Sequence, residues 1–189
     1  MKKIVMILCL LWSQIYADVL TDREEKYGMV VDYTQVIADE IEAKLDNNKL
    51  DENEIYTLLS SLVAFDTRIW SAALAVTPSL IDDFEKSSWV GFDQPWHFYE
   101  LSDGKKLFAP YVWRANGNIL HADNIANPDS KFGYDYTNGQ WEWWSKPIDS
   151  GFPMWLKPIY SSLTGDRMVT YSYPIKRNAV LIFNVYYSE

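Results

Sequence analysis

The residues best suited to form a binding site lie between positions 134 and 174. Four of the chain's nine tryptophans occur there, beside several tyrosines and interrupted by glycines and prolines. The stretch is too aromatic for a solvated loop and too interrupted for a helix, so its rings must be buried. Ligand pockets are lined by aromatic side chains with a few polar groups that fix orientation. Two interpretations follow: the rings wall a small-molecule pocket, or they pack in the domain's own core.

One part of this stretch indicates a ligand charge. Glu142 lies between Trp141 and Trp143 in the sequence, and Trp144 follows. Aromatic faces attract a cation at roughly 0.5 to 2 kcal/mol per contact, and a carboxylate would add to that attraction. The pattern therefore favours an amine or quaternary ammonium ligand. In the alternative interpretation neighbouring residues point in opposite directions, so that the tryptophans are core and Glu142 is solvated.

Other site chemistries have less support. The two histidines are His97 and His121, and the single Cys9 lies in an apolar N-terminal run. The sequence carries no Gly-x-Ser-x-Gly, no phosphate loop and no dinucleotide glycine fingerprint. We predict no catalysis, no cofactor and no metal site. An aromatic groove with acidic residues also suits sugars, so a carbohydrate-binding or carbohydrate-active exported protein is the alternative function.

Composition favours one acidic globular domain. The 189 residues are 48% apolar and 23% charged, which is enough to build a core. The formal net charge of −9 argues against nucleic acid as a partner, because phosphates require a basic face. An anionic membrane surface is disfavoured for the same reason.

The N-terminus has the pattern of a signal peptide. Lys2 and Lys3 precede a short apolar run, and a polar exit ends at the small residue Ala17. We predict a signal peptide over residues 1–17 and a single domain over residues 18–189, which would place the mature protein in the periplasm or outside the cell. An uncleaved membrane anchor is the alternative.

The elements that must position the aromatic residues begin with two helices. Thr21–Glu24 has the spacing of a capping box, and apolar residues follow at steps of three and four as far as Leu45. Asp51–Glu54 repeats the capping pattern and predicts a second, shorter helix.

After Arg68 the apolar pattern changes to strands. Strand-like runs cover residues 69–76, 105–115, 118–122, 168–175 and 179–187. The dipeptide Asn116-Gly117 favours a tight hairpin turn. We predict an α+β fold in which the helices pack on one face of an antiparallel sheet of about five strands.

Five runs occur in the order of a known family pattern: IWSAALA at 69–75, FAPYVWR at 108–114, QWEWW at 140–144, WLKPIY at 155–160 and MVTYSYP at 168–174. Together they resemble the Cache family of PAS-like extracytoplasmic sensor domains. The family provides sensor domains to bacterial chemoreceptors, histidine kinases, cyclases and phosphatases. The resemblance covers nearly all of the mature chain. It implies a long N-terminal helix on a central antiparallel sheet, a pocket between the sheet and the aromatic stretch, and no catalysis.

The resemblance carries the family's amino-acid clamp over only in part. Tyr136 matches the clamp's first tyrosine and Trp143-Trp144 its aromatic pair, but Trp141 occupies the place of the arginine that holds a carboxylate. The final strand lacks the aspartate that binds the ligand's amine. An acidic ligand would need another cation, for which the candidates nearest in sequence are Arg114, Lys146 and Lys157.

The predicted ligand-binding set combines the aromatic stretch with the charged candidates. It consists of Tyr111, Arg114, Tyr136, Trp141, Glu142, Trp143, Trp144, Trp155, Tyr160 and Tyr171. The expected ligand is a small molecule: an amine, an amino acid or an organic acid. The expected partners are a membrane-bound signalling protein and a second copy of the chain, joined through the N-terminal helix.

Overall fold

The computed structural model describes residues 2–47, 50–81, 98–122, 124–127, 133–161, 165–176 and 178–187. Three helices and nine strands are named in these parts of the chain. They are α1 (Lys2–Asp46), α2 (Glu52–Phe65), β1 (Ile69–Val76), β2 (Tyr99–Glu100), β3 (Lys106–Leu107), β4 (Tyr111–Ala115), β5 (Asn118–Ala122), α3 (Glu142–Ser150), β6 (Met154–Trp155), β7 (Ile159–Tyr160), β8 (Arg167–Ile175) and β9 (Ala179–Tyr186).

A single antiparallel sheet contains most of the strands. Its order is β5-β4-β1-β9-β8-β6, and β7 also pairs with β8. Strands β2 and β3 form a separate two-stranded sheet. The predicted α+β fold, a long N-terminal helix on a central antiparallel sheet, is confirmed. The five longer strands correspond to the predicted ones, and β6 and β7 add two residues each.

The sheet is covered on both faces. Strand β1 is buried at every position, which fits a strand with no solvent-facing side. Helices α1 and α2 pack on one face, called here the helix face, where the core includes Ile41, Leu59, Leu74, Phe183 and Val185. The other face, called here the aromatic face, is covered by the segment that contains Tyr136 and α3.

Helix α2 forms as its sequence predicts. Asp51 accepts a hydrogen bond from the Glu54 amide at 2.7 Å, and the Glu54 carboxylate accepts one from the Asp51 amide at 3.4 Å. The five buried residues of α2 have the spacing of one apolar helix face, at i, i+3, i+4, i+7 and i+8: Ile55, Leu58, Leu59, Leu62 and Val63.

Helix α1 begins earlier than predicted. It starts at Lys2, so the capping pattern at Thr21–Glu24 lies inside the helix and the predicted start there is wrong. No glycine or proline occurs before Gly28, and an uninterrupted run of helix-compatible residues lets the helix continue upstream. Within the described residues, no helix combines enough length with enough apolar character to cross a bilayer.

The predicted β4-β5 hairpin is confirmed, but the strand before it is shorter. Asn116 and Gly117 both have positive φ values, 50° and 79°, as a two-residue hairpin turn requires. The predicted run 105–115 divides into β3 and β4 on either side of Pro110. Proline has no amide hydrogen to donate to a strand neighbour, so the ladder is interrupted there.

Tyr136 attaches the aromatic segment to the sheet. Its side chain is fully buried, and its hydroxyl lies 2.8 Å from the carbonyl oxygen of Val76 and accepts a hydrogen bond from the Phe108 amide at 3.1 Å. These backbone groups lie where β1 ends and β3 leads into β4. A single hydroxyl therefore satisfies buried backbone groups on two segments.

We expect Tyr136→Phe to lower the free energy of unfolding by about 1–3 kcal/mol, because it removes the hydrogen bonds that the buried Tyr136 hydroxyl makes to the backbone at Val76 and Phe108. Urea denaturation followed by circular dichroism measures this change. The control is Tyr33→Phe, since among the described residues the half-buried Tyr33 hydroxyl bonds only the Ser61 hydroxyl, at 3.3 Å. Equal losses of unfolding free energy in the two variants would show that the Tyr136 hydroxyl contributes no more stability than an ordinary partly exposed hydrogen bond.

Candidate ligand-binding site

Three rings form the inner layer of the aromatic face. The Tyr136 ring lies 5.8 Å from Trp143 and 4.9 Å from Trp144, measured between ring centroids, and all three residues are buried. They share a core cluster with Ala73 and Ala75 of β1. Alanine side chains are small, so rings of this size have room against the sheet.

A row of polar side chains crosses the same face of the sheet. Thr170 on β8 donates to Asn184 Oδ1 on β9 at 2.5 Å, and Asn184 Nδ2 donates to Ser71 Oγ on β1 at 2.8 Å. The Tyr111 hydroxyl on β4 hydrogen-bonds to Ser71. The row therefore joins four adjacent strands. Such groups are costly inside a core unless each one is bonded.

The groups of this row are neutral. Burial raises the pKa of Tyr111 above its ordinary value, although the bond to Ser71 opposes that shift. Burial also raises the pKa of nearby Tyr134 to about 12, against a hydrogen bond with Trp143. Both phenols stay protonated at physiological pH and can donate as well as accept a hydrogen bond.

Two polar atoms on this side of the sheet have no partner among the described residues. Ser172 Oγ is buried two positions after Thr170 on β8, and it faces the same way. Trp141 Nε1 is also buried without a partner, while its ring stacks on Tyr134 with centroids 3.8 Å apart. Native proteins rarely leave such groups unsatisfied.

Half of the ten predicted site residues share the aromatic face. Trp143, Trp144 and Tyr136 form its inner layer, and Trp141 and Tyr111 pack against the same cluster. Tyr111 also stacks on Trp113 at 5.6 Å. The structure brings these five together with the polar row.

Three predicted residues lie on the helix face instead. Trp155 and Tyr171 belong to the core cluster beneath α1, and their ring centroids are 5.0 Å apart. Arg114 donates to the carbonyl oxygens of Val63 in α2 and Ile69 in β1. Its guanidinium is therefore engaged at the end of α2, on the other side of the sheet from the polar row.

The remaining two are exposed. Tyr160 is 75% exposed on β7. Glu142 is exposed and pairs with Lys146 at 2.8 Å, one helical turn further along α3. Because α3 begins at Glu142, helical geometry turns this residue to solvent while Trp143 and Trp144 face inward. The structure does not assemble the predicted cage of tryptophans around Glu142.

The sequence interpretation included Tyr111 but missed the other three members of the polar row. These are Ser71, Thr170 and Asn184, polar residues inside strands that are mostly buried. A strand buried on both faces is mostly apolar, so a polar residue within such a strand was the available sequence signal of a site.

The histidines take no part in this site as far as the structure describes it. His121 Nε2 lies 3.0 Å from Ser60 Oγ, and its ring stacks on Tyr56 at 4.9 Å. His97 lies outside the described residues. No group of three or more potential metal ligands occurs within the described ranges.

A long helix on an antiparallel sheet whose other face carries an aromatic segment is the architecture of a PAS-like sensor domain. A family model described as methyl-accepting chemotaxis protein-like, first PDC sensor domain, matches residues 55–185. The chain belongs to this family. The resemblance to extracytoplasmic sensor domains is thereby confirmed.

Solved structures with a similar fold include two extracellular domains of proteins assigned to the histidine kinases. The first, from soHK1S-Z6, is 19% identical with a TM-score of 0.56, and the match covers 95% of this chain and 63% of that structure. The second, from mmHK1S-Z3, is 18% identical with a TM-score of 0.55, covering 93% and 59%. The chain thus spans about three fifths of their length. Among curated protein sequences, none matches it significantly.

Proposed function

We propose that this chain is an exported sensor domain that binds a small molecule on its aromatic face and does not transform it. The observation that carries the proposal is the polar row Thr170–Asn184–Ser71–Tyr111 on the same face of the sheet as the tryptophan cluster, against which Tyr111 packs. A ligand site needs a few polar groups fixed within an aromatic surface, and this arrangement supplies them. Membership of a sensor family gives the arrangement its role.

The chemistry of these residues favours an amine over an acid. The groups of the row are neutral, and indole rings attract cations through their faces. An organic acid would require a cation, and Arg114 bonds to backbone carbonyls on the opposite face. An amino acid is the intermediate case, since only its ammonium group finds partners among these residues.

We expect at least one amine to raise the melting temperature of the protein, because a ligand that binds only the folded state stabilises it. A thermal-shift screen of amines, amino acids, organic acids and sugars measures this. The best ligand should bind Tyr111→Phe roughly tenfold more weakly, the equivalent of one hydrogen bond of about 1.4 kcal/mol. Titration calorimetry gives that ratio.

The control is Tyr173→Phe, because Tyr173 is half-buried and packs against the helix-face core. Equal affinity in wild type and Tyr111→Phe would place the ligand elsewhere. If only sugars bound, the carbohydrate function would replace the proposed amine-binding function. Mass spectrometry of a glycan digest would then distinguish binding from hydrolysis.

Ligand binding has a structural path to α1. Along β8, Thr170 belongs to the polar row, while its neighbours Val169 and Tyr171 lie in the core beneath the helix. Trp155 links that core to α1, because its ring lies 5.0 Å from Tyr171 and 5.4 Å from Tyr27. We propose that movement of β8 relays the signal through α1 to a membrane-bound partner.

The proposed export rests on residues 1–17. We expect the intact mass of the exported protein to match a chain that begins at Asp18, because Ala17 supplies the small residue that signal peptidase needs. Ala17→Leu should retain the full-length mass. A full-length mass for the wild-type protein would favour the uncleaved anchor.

The proposed homodimer is supported by an apolar stripe on α1. Met29 and Val36 are 75% and 58% exposed, and a spacing of seven residues puts them on one face of the helix. Acidic residues flank the stripe at Glu25, Asp32 and Asp39. A second copy of α1 packed against this stripe would bury the side chains of Met29 and Val36.

We expect Met29→Glu combined with Val36→Glu to weaken dimerisation at least about tenfold, because it places charge in an apolar contact. Light scattering after size exclusion measures the mass at each concentration. The matched control is Thr57→Glu with Ala64→Glu, which adds the same charge at exposed positions of α2. A monomeric wild type would contradict the dimer.

A further inference from the structure

A cavity lies beneath α1 at one edge of the sheet, and its lining includes residues of both α1 and α3. It has a volume of about 420 Å³ and lies between α1 and the segment 153–157, at the β6 edge of the sheet. This cavity, called here the edge groove, is within the size range of roughly 300–1,000 Å³ that small-molecule sites occupy. Its lining includes Glu24, Val31, Lys146, Trp155, Lys157 and Tyr171.

A buried cation without a counter-ion lies beside the edge groove. Arg23 is 6% exposed, and its Nη1 donates to the carbonyl oxygen of Leu156 at 3.0 Å. Leu156 itself lines the groove. Among the described residues no carboxylate pairs with Arg23, and its buried Nε has no hydrogen-bond partner. The guanidinium lies 5.6 Å from the centroid of the Tyr187 ring, which offsets part of the cost of burying its charge. The charge still lacks an acidic partner, so this environment favours an anion nearby.

Two lysines add positive charge to the groove wall. Lys157 is exposed, and Lys146 shares its charge with Glu142 at the surface. Only Glu24 opposes them among the charged residues known to line the groove. Glu24 and Asp32 of α1 act on Tyr171, and Glu142 pairs with Lys146, so the cations at the groove without a carboxylate partner among the described residues are Lys157 and Arg23.

The base of the edge groove is aromatic. Trp155 packs against Tyr171 at 5.0 Å and edge-on against Phe183 at 5.4 Å, so its indole is held in place. Val31 of α1 contributes an apolar wall. A flat ring would find matching surface here, and an acidic group attached to it would face the lysines.

We infer that the edge groove is a second ligand site, which binds a small aromatic carboxylate with its ring against Trp155 and its carboxylate toward Lys157 and Lys146. This site does not depend on the ligand of the aromatic face. Its position under α1 would place a second signal directly on the helix proposed to carry the first.

Benzoate and benzylamine, which have the same ring and opposite charge, test this inference by titration calorimetry. We expect benzoate to bind and benzylamine not to bind. Lys146→Gln and Lys157→Gln should each weaken benzoate about fivefold, the effect of one unit charge at 4 Å in water. Glu24→Gln should strengthen it by a similar factor. The control Lys26→Gln removes an exposed charge of α1 that does not line the groove.

The location of the bound benzoate is checked by NMR. The indole N–H signal of Trp155 is assigned by its loss in Trp155→Phe, and it should shift as benzoate is added to the wild-type protein. No benzoate binding, equal binding of benzylamine, equal weakening by Lys26→Gln, or an unmoved Trp155 signal at saturation would each overturn the inference.

Discussion

The hydrogen bonds of the Tyr136 hydroxyl connect the aromatic segment of this domain to its central sheet. They join the aromatic segment to the backbone at Val76 and Phe108, at a point that water does not reach. The rings of Trp143 and Trp144 pack against Tyr136 and share a core cluster with the alanines of β1. The position of this whole layer therefore depends on one buried tyrosine, which the family resemblance would assign to a ligand clamp.

The parts of the fold that the sequence predicts are those governed by local rules. The capping box of α2 and the hairpin at Asn116-Gly117 each depend on a few adjacent residues, and both form as predicted. The start of α1 was not predictable in the same way. A capping pattern such as Thr21–Glu24 marks a possible helix start, but it cannot stop a helix that already extends through it.

The candidate site was only half predictable, because the sequence does not assign strands to faces. Trp155 and Tyr171 are as aromatic as Trp143, yet they lie under α1. Strand register and the irregularity between Ile69 and Ser71 decide which side chains share a face. The cation-binding interpretation misplaced Glu142, which faces solvent as the core interpretation of the tryptophans expected, because the short helix α3 turns it away from Trp143 and Trp144.

Adjacent residues of strand β8 face opposite sides of the sheet, so the strand couples the two sides. Thr170 and Tyr171 are joined by a single peptide bond, and they face the polar row and the edge groove respectively. A displacement of the strand that favours a ligand on one side would therefore change the binding of a ligand on the other side. Thermodynamic linkage makes such cooperativity reciprocal, so each occupant would change the affinity of the other by the same factor. The domain would then combine the binding of two different ligands before it passes a signal to α1.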